Sequence, residues 1–303
     1  MNNITICIPT YRRQLLLEKL IMSIIECNLD ESLICDVSII IVDNDIQRSA
    51  VVIVNRLKEK FNNLYKIHYY NYPQKGLSKV RNELIKIALT MDPDYLVFID
   101  DDQYVTSVWL NELVKTVINN NADAARGPVL AISNEPVPHD IWCWFQRERY
   151  PNNTKLNTLT TGNMIIKKSS LVKYNLWFDS RFDKTGAEDS FFGVQLLKIG
   201  GTIFWADNAI TYEIIPRSRA KISWLIKRFY NGANTYTYIL KLEKKYFLLL
   251  KKTLISFMYI ISGLCSIIII LIPIKRRFWS LLKLAEGLGG IAGLISLKYN
   301  EYI

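Results

Sequence analysis

The N-terminal half of the chain alternates strand patterns with helix patterns, and this alternation constrains the fold more than any other feature. Short runs rich in β-branched and aromatic residues stand at 4–8, 37–42, 64–70, 95–100 and 122–131. Helical periodicity occupies 15–29, 77–90 and 107–120. Strands separated by helices predict βαβ units, and therefore an α/β fold with a Rossmann-like, mostly parallel sheet flanked by helices. The mixed region 132–218 is predicted to form loops and strands that cap this sheet.

Carboxylates gather where several of these strands end. The stretch DYLVFIDDDQYV (94–105) runs a strand into Asp100, Asp101 and Asp102, and Asp43 and Asp45 follow an earlier strand. Parallel sheets bind their ligands at the carboxyl ends of the strands. Adjacent aspartates raise one another's pKa unless solvent or a cation lies between them. A cation at this edge of the sheet is one of the two interpretations, and an acidic turn exposed to solvent is the other.

Composition narrows the class of partner. The 303-residue chain is 50 % hydrophobic, enough for a sizeable core, and its formal charge is +10. The charge favours an anionic partner, but it concentrates at 217–283 beside an apolar segment, and no nucleic-acid module is recognisable, so no nucleic-acid partner is expected. Five scattered cysteines and two histidines make a zinc site improbable and predict a reducing compartment. The first ten residues lack a signal-peptide pattern, so the N-terminal domain is expected in the cytoplasm.

The C-terminal region has the composition of a membrane-associated segment. The stretch 220–238 predicts a basic amphipathic helix on an anionic membrane surface, or a helix packed on the domain. The uncharged run 253–272 is long enough for a transmembrane helix. A weaker apolar segment, 278–297, repeats Ala285, Gly289 and Gly293 on a face suited to close helix packing. We therefore predict a catalytic domain over 1–218 (halves 1–105 and 106–218), an interfacial region over 219–252 and a membrane-associated segment over 253–303; the number of crossings stays open.

Six motifs in a fixed order carry a family resemblance. They are CIPTYRR (7–13), IIIVDNDI (39–46), PQKGLSKVRNELI (73–85), FIDDD (98–102), LTTGNMIIKKS (159–169) and FDKTGAEDSFFGVQLLKIGG (182–201). Together they resemble the nucleotide-sugar-dependent glycosyltransferases of family 2, which have a GT-A fold, over roughly residues 4 to 240. The later motifs and the apolar C-terminal region look most like bacterial enzymes of exopolysaccharide assembly, of the succinoglycan glucosyltransferase kind.

The resemblance implies a donor side built on the strand ends. In the family's D-x-D motif the last aspartate meets a metal and the first contacts the nucleoside, which makes Asp102 the metal ligand and leaves Asp101 without a firm role. Hard oxygen ligands suit Mg²⁺ or Mn²⁺, and a divalent cation offsets charge on the departing diphosphate. The residues implied in donor binding are Pro9, Thr10, Tyr11, Arg13, Asp43, Asp45, Gly76, Arg81, Asp100 and Asp101.

The resemblance also implies an acceptor side. An inverting transfer needs one base for the proton of the attacking hydroxyl. The family's E-D pair corresponds to Glu188 and Asp189, with Asp189 expected as the base and Glu188 as an acceptor contact or the alternative base. Thr161, Gly162 and Asn163 are expected to line the acceptor side. Glu213, Arg217 and Arg219 match a segment that orders a loop over the diphosphate or forms structural ion pairs.

These expectations combine into one predicted function. The chain would be an inverting, metal-dependent hexosyltransferase at the cytoplasmic membrane, with its catalytic domain facing the cytoplasm. Its donor would be a nucleotide sugar, with a UDP-sugar expected, and its acceptor a saccharide, with a lipid-linked saccharide expected. A polyprenyl-phosphate glycosyltransferase and a catalytically inactive membrane scaffold of the same fold are the alternatives. The sequence does not define the sugar, the linkage or the oligomeric state.

Overall fold

A computed structural model describes residues 1–61, 65–272 and 274–297. Its contacts divide the chain into two compact units. The first contains Met1–Leu130, Arg147–Asp183 and Glu188–Glu213. The second contains Ala131–Gln146, Lys184–Ala187 and the C-terminal region from Ile214. Residues 131–146 and 184–187, which the sequence placed within a continuous catalytic domain, therefore group with the C-terminal unit.

A seven-stranded mixed sheet forms the centre of the first unit. Its strands are β1 (Asn2–Thr10), β2 (Ile34–Asp43), β3 (Lys66–Asn71), β4 (Tyr95–Ile99), β6 (Ala124–Arg126), β8 (Asn163–Lys167) and β9 (Ile203–Trp205). They lie in the order β3-β2-β1-β4-β8-β6-β9, and β8 alone runs antiparallel to its neighbours among these strands. A smaller sheet joins β5 (Gln103–Val105), β10 (Thr211–Ile214) and β7 (Val129–Ile132). The predicted α/β fold with a mostly parallel sheet is confirmed.

Helices cover the central sheet. They are α1 (Gln14–Ile25), α2 (Val51–Phe61), α3 (Leu77–Thr90), α4 (Trp109–Asn119), α6 (Lys168–Tyr174) and α7 (Glu188–Lys198). Successive residues of a strand point to opposite faces of the sheet. Ile6 and Ile8 of β1 accordingly pack with α1 and α4, whereas Cys7 packs with α3 and α7. The sheet is apolar on both faces, so its polar chemistry is confined to its edges and strand ends.

Two sequence predictions about this unit are wrong in detail. The run 122–131 is not one strand, because Gly127 and Pro128 separate β6 in the large sheet from β7 in the small one. The region after 132 does not merely cap the sheet, because it supplies β8 and β9 to the sheet itself. Helix α2 was not predicted from its β-branched start, and position 64 of the predicted strand 64–70 lies outside the described residues.

The C-terminal unit is mainly helical. Its helices are α5 (His139–Trp142), α8 (Ile222–Leu242), α9 (Tyr246–Cys265) and α10 (Trp279–Leu294). Gly289 of α10 lies against the carbonyl of Tyr230 in α8, and Gly293 lies against that of Asn234, so tightly that a Cβ at either glycine would clash. The close-packing face predicted for this segment is confirmed at these two glycines. Gly287 and Gly290 of the same helix pack against Ser256 of α9.

Helix α9 is the one described helix long and apolar enough to cross a membrane. It begins at Tyr246, seven residues before the predicted span 253–272, and ends at Cys265. A 3₁₀ turn over Ile267–Leu271 follows. The bounds differ because lysine is a good helix former, so Lys251 and Lys252 interrupt the apolar run without interrupting the helix.

Candidate active site

The loop after β1 holds the middle aspartate of the acidic stretch. Thr10 donates its hydroxyl to Asp101 Oδ2 at 2.8 Å, and Arg13 Nη1 donates to Asp101 Oδ1 at 2.8 Å. Burial raises the pKa of the Asp101 carboxyl, while Arg13 and Thr10 oppose that rise. Asp101 therefore ties the end of β4 to the end of β1. No firm role was predicted for Asp101, and these bonds indicate a structural one.

Asp102 shares Arg13 with its neighbour but has more acidic surroundings. Arg13 Nη1 lies 3.0 Å from Asp102 Oδ2. Burial, Asp100 and Glu213 raise the pKa of the Asp102 carboxyl to about 7, against the opposing effect of Arg13. Several carboxylates therefore lie close enough to act on one another here, an arrangement suited to a cation.

Arg81 joins the end of β4 to the start of α7. Its Nη2 donates to Asp100 Oδ1 at 3.1 Å, and its Nη1 pairs with Glu188 Oε1. The arginine side chain is 5 % exposed, so the pair with Glu188 is shielded from water. One buried guanidinium therefore brings together the carboxylates that the sequence assigned to the donor and acceptor sides.

The Glu188 side chain is almost completely buried. Burial and, to a smaller extent, the nearby Asp189 raise its pKa to about 7, against the opposing effect of Arg81. Its Oε2 is buried and finds no hydrogen-bond partner within the described part of the chain. An oxygen in that position is costly unless a ligand or water satisfies it.

Asp189 has a different environment although it is the next residue. Its Oδ1 accepts the backbone N–H of Ser190 at 2.6 Å, in the first turn of α7. The side chain is half-buried, whereas Glu188 is 3 % exposed. Of the two acids, Asp189 is the one that an external hydroxyl can reach.

Asp43 organises the loop after β2. It is fully buried and accepts the N–H of Asp45, the N–H of Ala50 and the hydroxyl of Tyr69. Arg12 donates two bonds to Asp45, at 3.1 and 3.2 Å, and these bonds lower the pKa of the Asp45 carboxyl. The protein thus engages both carboxylates, so contact of either with a nucleotide stays a prediction.

The remaining donor-side residues surround these loops. Pro9 lies in β1 beside Val42, at the carboxyl end of the strand. The Tyr11 ring is 50 % exposed, which leaves it open for stacking. Gly76 precedes α3 with φ of +128°, and a Cβ there would lie 2.6 Å from the carboxyl carbon of Asp183. Asp183 accepts the N–H of Ser78 at 3.0 Å and so caps that helix.

The TTGN stretch divides between the site and the core. A Cβ on Gly162 would lie 2.8 Å from Gln103 Nε2 and 3.1 Å from Asp100 Oδ2, so this glycine permits a close approach to the acidic stretch. The hydroxyl of Thr161 is buried with no partner in the residues described. Asn163 instead accepts from Trp109 and donates to the carbonyls of Pro128 and Ala209. Its amide is used in the core, and the structure places it there rather than among accessible polar groups.

Two site residues were missed by the sequence reasoning. Gln103 lies in β5 opposite Glu213 of β10, and its Oε1 is buried without a partner among the described atoms. Arg126 ends β6, donates to Thr158 and Thr160, and lies over the Trp205 ring at 5.4 Å. Burial lowers the pKa of Arg126, and Tyr150 and Asp189 oppose that shift. The only sequence feature that could have identified Gln103 and Arg126 is that each is a polar residue at the end of a strand.

The segment after β10 forms ion pairs. Glu213 pairs with Arg147 at 2.6 Å, and Arg217 lies 3.8 Å from Glu135. No group of three or more acidic, histidine or cysteine side chains arranged to hold a metal occurs in the ranges that the structure describes. Any metal at the acidic stretch would therefore need ligands from a substrate or water.

Comparison with known proteins identifies the class to which this fold and site belong. Glycosyl transferase family 2 matches residues 5–174, more than half of the chain. The chain belongs to this family, as its motifs predict.

Two relatives extend the comparison. The succinoglycan biosynthesis protein ExoM of Rhizobium meliloti is 28 % identical over 99 % of this chain and 95 % of its own length. The poly(ribitol-phosphate) beta-glucosyltransferase of Bacillus spizizenii is 27 % identical over 57 % of this chain and 26 % of its own length.

Solved structures of S. aureus TarS share the fold. TarS 1-349 in complex with UDP-GlcNAc superimposes with a TM-score of 0.55 at 19 % identity, covering 79 % of this chain and 66 % of TarS. Its complex with UDP gives a TM-score of 0.54 at 16 % identity, over 97 % of this chain and 90 % of TarS. The predicted GT-A fold is confirmed.

Proposed function

We propose that this glycosyltransferase moves a hexose from a nucleoside-diphosphate sugar to a saccharide acceptor with inversion, in the assembly of a cell-surface polysaccharide. The observation that carries the proposal is the pairing of Arg81 with both Asp100 and Glu188. It joins a strand-end carboxylate suited to the donor to the acidic pair suited to the acceptor. The succinoglycan role named for ExoM supports a function in polysaccharide assembly. The UDP-GlcNAc and UDP ligands of TarS support a nucleotide-sugar donor.

The donor would lie along the ends of β1, β2 and β4. Tyr11 presents an exposed ring for the base, and Gly76 and Gly162 leave room for close backbone approach. Buried polar atoms of Thr161, Gln103 and Glu188, which lack partners in the described structure, supply hydrogen-bonding capacity for a polar ligand. Orphaned atoms of this kind favour a sugar, since each hydroxyl can donate and accept.

A divalent cation fits the acidic stretch if the substrate completes its ligands. Burial and the carboxylates of Asp100 and Glu213 raise the pKa of Asp102. These neighbouring carboxylates favour a cation there, with Asp100 as the second carboxylate at the site. Mg²⁺ is commonly held by one or two carboxylates together with substrate phosphates, so three converging protein ligands are not required. Bound Mg²⁺ or Mn²⁺ would offset the charge that develops on the departing diphosphate.

Side chains of the protein would position the reacting groups and accept the proton of the acceptor hydroxyl. The acceptor hydroxyl oxygen forms a bond to the anomeric carbon while the bond from that carbon to the diphosphate oxygen breaks. The hydroxyl proton passes to the Asp189 carboxylate, whose second oxygen is not used in capping α7. Arg81 positions Asp100 and Glu188.

The C-terminal unit would hold the enzyme at the cytoplasmic membrane. The apolar helix α9 and the whole-length similarity to ExoM support this part of the proposal. A membrane location places the catalytic unit within reach of a lipid-linked acceptor and, with the enzyme facing the cytoplasm, of a cytoplasmic donor.

Transfer assays with matched variants test the mechanism. Full-length protein in detergent would be incubated with Mn²⁺, a panel of radiolabelled UDP-, GDP- and TDP-hexoses, and bacterial lipid extract. Asp189→Asn is expected to lower kcat by about 10² to 10⁴ with donor binding retained, as loss of a general base does. Transfer at the wild-type rate by Asp189→Asn would refute the assigned base. A product in which the sugar is joined directly to a polyprenyl phosphate would refute the saccharide acceptor.

A further inference from the structure

The three long helices of the C-terminal unit surround a groove of about 490 Å³. Arg228, Gly232 and Tyr236 of α8 line one side, Lys252 of α9 lines another, and Glu286 of α10 closes it. The groove belongs wholly to the C-terminal unit and shares no residue with the candidate active site.

Positive charge exceeds negative charge beside this groove. Glu286 is shared by two ammonium groups, with Lys252 Nζ 3.5 Å from Oε1 and Lys283 Nζ 2.8 Å from Oε2. The side chains of Lys252 and Lys283 are 12 % and 20 % exposed, so water screens them incompletely. One carboxylate is shared by two partly buried ammonium groups, so positive charge exceeds negative charge among these three side chains. Such a site favours an anion.

The surroundings of the groove are apolar. Leu250, Leu254, Phe257, Met258 and Ile261 of α9 are exposed, on a helix long enough to cross a bilayer. Lys252 immediately precedes the uncharged run 253–272, a position that corresponds to the headgroup end of an apolar segment of that length. An anion held by Lys252 would therefore carry its apolar part along α9.

The groove has unfilled space next to its charged side. A Cβ on Gly232 would meet no heavy atom within 4 Å, although the residue lies inside α8. Glycine in a helix interior is unfavourable relative to alanine, so packing does not explain its presence at an open position. The Tyr236 ring, 6.0 Å from Lys252 Nζ, adds an aromatic wall of the amphipathic kind found where lipid headgroups lie.

We propose that this groove binds the phosphate headgroup of an anionic membrane lipid. The Lys252 ammonium would donate to the phosphate oxygens, and the acyl chains would lie against the exposed apolar side of α9. The inference rests on the proposed membrane association of the chain. It does not depend on the transferase reaction.

Lipid retention by matched variants tests the site. Full-length protein in detergent would be incubated with phosphatidylglycerol, phosphatidylcholine or inorganic phosphate, and bound lipid quantified by native mass spectrometry. Lys252→Met removes the central cation, and Gly232→Leu fills the groove with a better helix former. Lys251→Met is the control, because it removes the same charge from the adjacent, exposed position of α9. Thermal unfolding midpoints would verify that all variants fold.

The expected outcome is specific to the groove. Phosphatidylglycerol binding should fall by about tenfold in Lys252→Met and Gly232→Leu and change less than about twofold in Lys251→Met. Equal lipid retention by the wild type and the three variants would overturn the groove as the lipid-binding site, and the proposed membrane association would stand. Failure of the wild type to retain any lipid would overturn both. Full competition by equimolar inorganic phosphate would overturn the lipid as the ligand.

Discussion

The guanidinium of Arg81 pairs with the carboxylate of Glu188, although 107 positions of sequence separate the two residues. Both side chains are almost completely buried, and Arg81 also reaches Asp100 at 3.1 Å. The N-terminal turns of α3 and α7 and the end of β4 are thereby fixed relative to one another. The candidate active site depends on this pair for the relative position of its acidic groups.

Removing the arginine should destabilise the first unit strongly. Arg81→Met leaves Glu188 buried without its cation, and breaking a buried ion pair from one side costs about 3–5 kcal/mol. The free energy of unfolding from urea denaturation of the detergent-solubilised chain measures the effect. Lys86→Met is the control, since Lys86 pairs with Glu83 on the exposed surface of the same helix and should cost less than about 1 kcal/mol. Equal losses in the two variants would contradict the role of the pair.

The raised pKa of Glu188 predicts a pH dependence of stability. Its pKa is about 7 in the folded chain against 4.5 in the unfolded reference, so the folded state binds the proton more tightly. The resulting contribution to stability is fully present below pH 4.5 and is lost as the pH rises through about 7. Glu188→Gln should remove this decline, which we expect to be on the order of 2 kcal/mol, from the pH profile of the unfolding free energy.

The control for that profile is Glu83→Gln, which alters a carboxylate of α3 that pairs with the exposed Lys86 and should retain the decline attributed to Glu188. The groups that face Glu188 and enter its titration are Arg81, Asp189 and Asp100. Parallel profiles for the wild type and Glu188→Gln would show that Glu188 does not titrate in this range.

Gly76 should tolerate a side chain less well than Gly200. Both glycines have positive φ, +128° and +86°, so alanine introduces backbone strain at each. Crowding is present at Gly76 alone of the two, because its Cβ would approach the Asp183 carboxylate while that of Gly200 meets nothing within 4 Å. Gly76→Ala should lower the free energy of unfolding by about 1–3 kcal/mol more than Gly200→Ala. Because Asp183 also caps α3, the crowding is tested in the Asp183→Ala background, where Gly76→Ala should cost less than it does in the wild type. An equal cost in the two backgrounds would contradict the crowding.

Asp101 should affect stability more than transfer. It accepts hydrogen bonds from Thr10 and Arg13, so Asp101→Asn weakens the link between β1 and β4. We expect a loss of about 1–3 kcal/mol in unfolding free energy, with kcat within about tenfold of the wild type. Asp102→Asn should instead reduce kcat far more while preserving the fold. The reverse ranking, with Asp101 the more important for kcat, would contradict the division of roles.

Site residues whose roles follow from a local sequence pattern could be predicted, whereas those whose roles depend on distant partners could not. The strand ends that carry Asp43 and Asp100–Asp102 follow from apolar runs and family motifs, so their convergence could be predicted. The partners of Arg81 and Asn163 could not, because they lie between 19 and 107 positions away for Arg81 and 35 to 54 for Asn163. The sequence does not distinguish a motif asparagine whose amide faces a ligand from one whose amide, like that of Asn163, is hydrogen-bonded in the core.

The structure of the apolar C-terminal region could likewise be predicted only in part. Hydropathy predicts a transmembrane segment over 253–272, but the helix begins at Tyr246 and includes Lys251 and Lys252. The pairing of Lys252 with Glu286 of α10 depends on how three helices pack, which no single segment encodes. The groove beside these residues was consequently not foreseen.

The central claim is that the acidic strand end binds a nucleoside diphosphate together with a divalent metal. Calorimetric titration of UDP, GDP and TDP into the full-length protein, with and without Mn²⁺, tests it most directly. Asp92→Asn is the matched control, because Asp92 is exposed and pairs only with Lys168 on the surface described. We predict Mn²⁺-dependent binding of one nucleotide to the wild type and Asp92→Asn, and its loss in Asp102→Asn. Undiminished binding by Asp102→Asn, or no binding of any of the three to the wild type, would contradict the account.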